Sequence, residues 1–445
     1  MYHPVAISTQ FDMEPLNTCN KLSLKRNIAY CRIKEMENQK CKGMQDLLPD
    51  GMLRFRRIED AFRNCCLKWG YREVRTPTLE YLHLFTAAGT LTPGMLGRVY
   101  SFLDWDGWSG ERVVLKPDGT IPVARLYIDN LSEHEIARLF YITNIFAFEG
   151  TGKENRERWQ CGSELLGGAE FAADVKIVLL AQEIVRELGL QNIELQLSHA
   201  GLVKALIKEL KLNSSEEAKV TNHILDGDWQ ALGEVQTTNP ELYGLLSQIM
   251  NLKGKSSNFL QNIRALSQQA SPYFKIALDD FTNVTTLLDS LGCDYEVDFA
   301  AMQNFEYYTG ACFQLLSGGE RISGGGRYDD LIPLMGGKNI PACGFALYVD
   351  PIMKLLAPGS GGAVDILVKG EERTAEVVRT CFTLARSLRD AGYATEFGFS
   401  GQERADYRWV ISVSAKKPFI LKDCKQGRQR DVTSTAEILS VIGTK

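Results

Sequence analysis

Within IFAFEGTGKENRERWQCGSELLGG, Ile145 to Gly168, the residues Gln160, Gly162 and Glu164 recur at period two. On an extended strand that spacing points an amide and a carboxylate to one face with a gap between them. Such a pair can hold a small polar ligand that carries N–H donors, although it also suits a plain exposed strand face. Upstream, LKPDGT sets Asp118 and Thr120 at the mouth of a turn before a helix, where they can accept from an ammonium group. The same two residues serve equally as a helix cap and a turn carboxylate. Downstream, NFEYYTG offers Tyr307 and Tyr308 on opposite faces of a strand, and ISGGGRYDD joins three glycines to Arg327, Tyr328 and Asp329. Consecutive glycines signal a close approach to the backbone, by a ligand or by another strand. That run has neither the G-K-[ST] ending of a phosphate loop nor the spacing of a dinucleotide fingerprint. Cations are scarce where an anion would need them. The first strand of the opening stretch carries Ala147 between Phe146 and Phe148, and the nearest basic residues, Lys153 and Arg156, fall in the charged loop.

The elements that must position these residues alternate between strand and helix patterns. Residues 1–43 lack sustained periodicity and read as a poorly ordered tail. From GMQDLLPD onward, Leu53, Ile58, Ala61, Phe62 and Cys65 recur at helical spacing up to Gly70. YREVRTPTLE follows as an extended segment that Pro77 breaks. RVVLKPDGTIPVARLYI reads as strand, turn and helix, and the 145–168 stretch as a β-hairpin. Phe171 to Leu188 is an amphipathic helix closed by Gly189; NIELQLS is a strand, and GLVKALIKEL a helix. A polar helical insertion spans about 213–290. Strands resume with YEVDFA, YYTGACFQLL and RISGG, before the helix-forming PACGFALYVDPIMKLL. APGSGGA, 357–363, reads as a linker. Residues 364–445 form a compact α/β unit, and 44–356 the main body.

Composition narrows the classes. At 445 residues with 44% hydrophobic and 24% charged residues, the chain can bury two or three cores. A net charge of −5 does not advertise nucleic acid. The 11 cysteines are scattered without a C-x-x-C pair, and the five histidines are dispersed, so neither a disulfide framework nor a metal site is expected. No secretory signal or membrane-spanning run is visible, which makes the cytosol the default.

Taken in order, GMQDLLPD, YREVRTPTLE, LKPDGT, RWQCGSELLGG, EYYTG, GGGRYDDL and PACGFAL resemble the histidyl-tRNA synthetase family over roughly residues 43–445. The resemblance implies an α+β, class II aminoacyl-tRNA synthetase-like fold. That fold has an antiparallel sheet flanked by helices, a helical insertion and a small C-terminal anticodon-binding-like domain. It also implies a dimer interface built around YREVRTPTLE. By the same resemblance Asp118, Thr120, Gln160, Glu164, Tyr307 and Tyr308 match the family's histidine pocket, Glu164 receiving the imidazole and Asp118 the α-ammonium. Asp118 is shorter than the family's usual glutamate, and Lys116 stands where arginine is usual.

The positions that meet the phosphate are different. Activation of an amino acid by ATP develops negative charge on the α-phosphate, which fixed guanidinium groups must meet. The family's arginines fall here on Ala147, Gln303 and Pro351, the last after Asp350 in place of glutamate. Loss of one preorganised donor typically costs about 10²–10³ in rate. A histidine pocket without activating arginines resembles the regulatory subunits of ATP phosphoribosyltransferase, a catalytically silent branch. That resemblance implies no cofactor, a short-form catalytic subunit as partner, and homodimers within a hetero-oligomer. It also implies feedback by histidine. Two other readings remain: an active synthetase with displaced arginines, and a synthetase-like RNA-binding module. Residues 364–445 carry 14 lysines and arginines against 11 acids, with Lys422, Lys425, Arg428 and Arg430 close together. Four such cations more often line a solvated loop than a tRNA site.

Overall fold

The computed structural model describes residues 40–88, 97–104, 110–148, 155–168, 171–213, 215–217, 219–220, 240–267, 270–301, 308–357, 365–399, 407–416 and 418–443. Most of the expected tail, the linker beyond 357, Lys153, Gln303 and Tyr307 lie outside these residues. The strands are β1 (Arg72–Glu73), β2 (Leu79–Tyr81), β3 (Ser101–Leu103), β4 (Arg112–Leu115), β5 (Ala137–Phe146), β6 (Glu157–Leu166), β7 (Ile193–His199), β8 (Lys253–Gly254), β9 (Glu296–Asp298), β10 (Ala311–Ser317), β11 (Glu320–Arg327) and β12 (Ala342–Tyr348). A nine-stranded sheet runs β1-β5-β6-β12-β11-β10-β7-β9-β8. It is antiparallel from β5 across to β7 and parallel only where β1 meets β5 and β7 meets β9.

Helices lie against this sheet because each presents an apolar stripe to it. Pro49–Lys68 starts on a proline near its N-terminus, which needs no amide partner there, and buries Phe55, Ile58, Phe62, Cys65 and Cys66. Phe171–Glu187 buries Val175, Ile177, Val178, Leu180, Ala181, Ile184 and Val185. The helix Pro272–Ser290, capped by Ser271 Oγ on the Phe274 amide, buries Phe274, Leu278, Phe281, Val284 and Leu288 in the same core. The helices within the expected insertion therefore share the main core. The buried His199 ends β7; its Nδ1 accepts from the Leu202 amide at 3.2 Å and so caps the following helix, Ala200–Glu209. That bond leaves the proton on Nε2, 3.2 Å from Asp280 Oδ2.

PACGFALYVDPIMKLL departs from its helical reading. Its first half is β12, the central strand between β6 and β11, and only Val349–Leu355 is helical. A central strand buried on both faces shows a continuous apolar run, which periodicity alone does not separate from a buried helix.

The YREVRTPTLE segment divides between two sheets: its start, β1, edges the main sheet, and its end enters β2 of a three-stranded sheet, β2-β4-β3. Pro77 falls in the gap between β1 and β2. A second core belongs to the C-terminal sheet, ordered β14-β13-β15-β16-β17: β13 (Ile366–Gly370), β14 (Thr395–Phe399), β15 (Trp409–Val413), β16 (Phe419–Asp423) and β17 (Arg428–Val432). Its helix Ala375–Asp390 is capped by Thr374 Oγ1 and buries Val377, Cys381, Leu384 and Leu388. The four clustered cations lie on the β16–β17 hairpin and its turn, and all are exposed. Arg428 and Arg430 oppose Asp423 and Leu421, so they face away from Lys422. Among the described residues no helix is long and apolar enough to cross a membrane.

Candidate functional site

The expected period-two pair sits in the middle of the sheet. In the β5–β6 hairpin, Thr143 opposes Gln160, Tyr141 opposes Gly162 and Leu139 opposes Glu164. Across β6, Gln160 opposes Tyr348, Gly162 opposes Ala346 and Glu164 opposes Gly344; Gly344 in turn opposes Gly326 of β11. The centre of this face is therefore glycine and alanine, with polar side chains around it.

The glycines are needed for space. A Cβ on Gly162 would sit 2.2 Å from the Tyr141 hydroxyl, and one on Gly119 would sit 2.2 Å from the Tyr141 ring. These two positions, one on a strand and one in the PDGT turn, form the slot that holds Tyr141. A Cβ on Gly344 would lie 1.9 Å from Glu164 Oε2 and 2.7 Å from the Tyr328 hydroxyl. The glycine run 324–326 is crowded by protein alone. A Cβ on Gly325 would meet Gly344 O at 2.5 Å, one on Gly326 would meet Ala311 O at 2.7 Å, and one on Gly324 would meet Arg321 Nη2 at 2.1 Å.

Glu164 is almost fully buried and accepts a hydrogen bond at Oε2 from Tyr328. Its Oε1 has no hydrogen-bond partner among the described residues, and neither has Gln160 Oε1, also buried. Burial pushes the Glu164 carboxyl from 4.5 up to about 8, and Asp118 adds to the rise. The Tyr328, Thr120 and Tyr141 hydroxyls nearby work the other way, favouring its charged form. Thr120 Oγ1 is 3.4 Å from the Tyr141 hydroxyl. Asp118 uses Oδ1 to accept from the Ile121 amide at 3.0 Å, and burial raises its pKa. Asp118 thus satisfies an amide in the first turn of the helix Thr120–Asn130, and it lies near enough to Glu164 to raise that carboxyl. Tyr308 is buried as well, and its carbonyl accepts from Lys204 Nζ at 2.6 Å.

GRYDD is the support of this site. Arg327, buried, meets Asp174 Oδ2 at 3.0 Å through Nε and Nη2; Nη1 donates to Gly168 O at 3.0 Å and to Asp329 Oδ1 at 3.2 Å. Asp329 Oδ1 also accepts from the Ala342 amide at 2.9 Å. This network fixes the chain on both sides of Tyr328 and so aims its hydroxyl at Glu164. Asp174 and Asp329 hold the Arg327 guanidinium firmly protonated.

Ala147 lies half-buried just past β5, its amide donating to Arg156 O at 2.9 Å. Pro351 stands in the first turn of Val349–Leu355, where a ring without an N–H is tolerated. Lys116 is turned elsewhere: it is buried and its Nζ donates to Thr76 O at 3.3 Å and Thr76 Oγ1 at 3.2 Å. Arg156 differs from its loop reading, for it is held in place. Its guanidinium carbon lies 4.3 Å from the Phe148 ring centroid, and its amide donates to Gly43 O at 2.7 Å. Sequence reasoning gave no part to Tyr141, which packs into this site, and gave Tyr328 no role of its own. Among the described residues no cluster of His, Cys, Asp and Glu could hold a metal ion.

The histidyl-tRNA synthetase family matches residues 43–352 of this chain. An ATP phosphoribosyltransferase regulatory subunit from Dehalococcoides mccartyi (strain BAV1) is 45% identical over 408 residues, covering 91% of this chain and 98% of that protein. A histidine–tRNA ligase from Archaeoglobus fulgidus is 30% identical over 409 residues, covering 88% of this chain and 94% of that protein. A solved ATP phosphoribosyltransferase regulatory subunit/histidyl-tRNA synthetase from Bacillus halodurans superimposes with a TM-score of 0.73 at 24% identity. It covers 86% of this chain and 100% of that one, and supports the fold. With near-complete coverage at 45% identity on one side and a family-wide match on the other, the chain belongs to the ATP phosphoribosyltransferase regulatory subunits, within the wider histidyl-tRNA synthetase family.

Proposed function

We propose that this chain is a non-catalytic, cytoplasmic regulatory subunit of ATP phosphoribosyltransferase. In this reading it is required for the first step of histidine biosynthesis, and its retained pocket takes free histidine. One observation carries the reading. The pocket keeps two buried acceptors, Glu164 Oε1 and Gln160 Oε1, that have no hydrogen-bond partner among the described residues, while Ala147 and Pro351 bring no cation to the phosphate side. Asp118, Thr120 and Tyr308 complete the wall around a ligand rich in N–H donors, with Tyr307 beside them in sequence. Gln303 extends the same pattern of loss. The partner is the short-form catalytic subunit, engaged by a homodimer within a hetero-oligomer. Leu79, Tyr81 and Phe102 support the dimer, since they expose 46%, 42% and 40% of their surface along one face of the β2-β4-β3 sheet.

Arg156 favours a second reading, an active histidyl-tRNA synthetase, because a cation is held near the end of β5 after all. The two readings separate in one assay. Histidine-dependent exchange of pyrophosphate into ATP is expected to stay at background for this chain, at least 10²-fold below an active synthetase. Exchange well above background, lost in Arg156→Ala, would favour the synthetase. Charging of tRNA is expected to be absent in the same preparation.

A further inference from the structure

Resting on the histidine reading above, we propose that Arg321 is the residue that receives the ligand's free carboxylate, making the pocket a sensor of the unmodified amino acid. Arg321 lies at the start of β11, where Leu316 pairs with Arg321 but Leu315 pairs with Ser323. The extra residue, Ile322, is a bulge, and bulges re-aim neighbouring side chains. The Arg321 guanidinium consequently folds over Gly324, its Nη2 2.1 Å from the position of a Cβ there. Its central carbon is 5.5 Å from the ring centroid of Tyr348, the residue that opposes Gln160 across β12 and β6. Arg321 thus reaches the face that carries Gln160 and Glu164.

The spacing between the two charges decides what fits. Glu164 Oε2 lies over Gly344, and Arg321 lies over Gly324. Gly344 pairs with Gly326, so Gly324 is its diagonal neighbour, about 7–8 Å away across an antiparallel pair. That is too far for a direct ion pair. It matches the reach from the side-chain base of one amino acid to its own carboxylate. Tyr308, buried, feels both groups: Arg321 favours the ionised form of its hydroxyl and Glu164 disfavours it. The floor between them, Gly162, Ala346 and Gly344, carries nothing larger than a methyl group. A guanidinium and a carboxylate facing each other across bare backbone are complementary to a zwitterion with a basic side chain.

The test compares L-histidine with L-histidinamide, which keeps the imidazole and the ammonium and lacks the carboxylate. Calorimetric titration of the full chain is expected to give histidine a roughly 10- to 100-fold tighter Kd than the amide, the usual worth of a hydrogen-bonded charge. In Arg321→Gln the two ligands are expected to bind alike, at the wild-type affinity for the amide; Arg321→Lys recovers part of the preference. Equal binding of the two ligands by the wild-type chain overturns the assignment without any variant. An unchanged preference in a folded Arg321→Gln protein overturns it too. Failure of the wild-type chain to bind either ligand would instead remove the histidine reading on which this rests.

Discussion

Glu164→Ala is expected to weaken histidine binding by about 2–5 kcal/mol, roughly 30-fold to several-thousand-fold in Kd. The carboxyl group is buried, one oxygen accepts from Tyr328, and the other has no hydrogen-bond partner among the described residues. In the proposed complex its removal would leave the imidazole without its acceptor. If histidine reports through this pocket, it must bind the inhibited assembly more tightly than the active one. Inhibition by histidine is therefore expected to vanish in the same variant, and inhibition unchanged in Glu164→Ala would remove the pocket as sensor.

The raised carboxyl gives this prediction a pH signature. Free Glu164 titrates near 8 and a free imidazole near about 6.5. In the proposed complex the two groups share one proton, so affinity is expected to be greatest between those values. Below 6.5 the imidazole must shed a proton to bind; above 8 Glu164 must regain one. Stability follows the opposite partner state. Glu164 is raised in the fold, so its contribution is fully present below the ordinary 4.5 and is lost as pH climbs through about 8. Glu164→Gln has no such loss. Its melting temperature is expected to gain on wild type as pH rises from 5 to 9, even though histidine binding falls. A gap between the two proteins that does not move with pH would contradict the assigned burial of this charge.

Asp174→Ala is expected to be the most damaging change outside the pocket, costing about 3–5 kcal/mol of stability. It removes the acceptor of Arg327 Nε and Nη2 and leaves the buried guanidinium with Asp329 and the Gly168 carbonyl on Nη1. The cost of a broken buried pair is the under-compensated buried charge that remains, so Asp174→Leu with Arg327→Met is expected to recover most of it. Urea midpoints at an unchanged slope would measure both. A loss below about 1 kcal/mol in Asp174→Ala would mean that water reaches Arg327. Because Tyr328 follows Arg327 directly, Asp174→Ala is also expected to weaken histidine binding at temperatures where the chain remains folded.

How far these residues could be read in advance depends on where their signal lies. Gln160 and Glu164 were legible because a strand writes its two faces into alternate positions of one segment. Asp118 and Thr120 were legible for a similar local reason, a turn feeding a helix. Tyr141 was not, because its place depends on Gly119 and Gly162, which come from two different elements that only the fold brings together. Arg321 was hidden by the bulge at Ile322, which breaks the alternation that would have assigned its face. The misread β12 shows the limit of pattern in the other direction. ACGFAL is apolar on both faces because Cys343, Phe345 and Leu347 enter the main core while Gly344 and Ala346 lie on the face of Glu164 and Gly162, and an unbroken apolar run carries no period. The cation at Arg156 was underrated because its anchors, Gly43 and Phe148, lie outside the strand it precedes.

The account stands or falls on regulation. The direct measurement is the rate of phosphoribosyl transfer to ATP by the short catalytic subunit from the same organism, with and without this chain. A clear rise in rate on adding this chain, reversed by histidine, is the expected result. An unchanged rate, with both proteins folded and mixed in excess, would contradict it and turn attention to Arg156 and the synthetase reading.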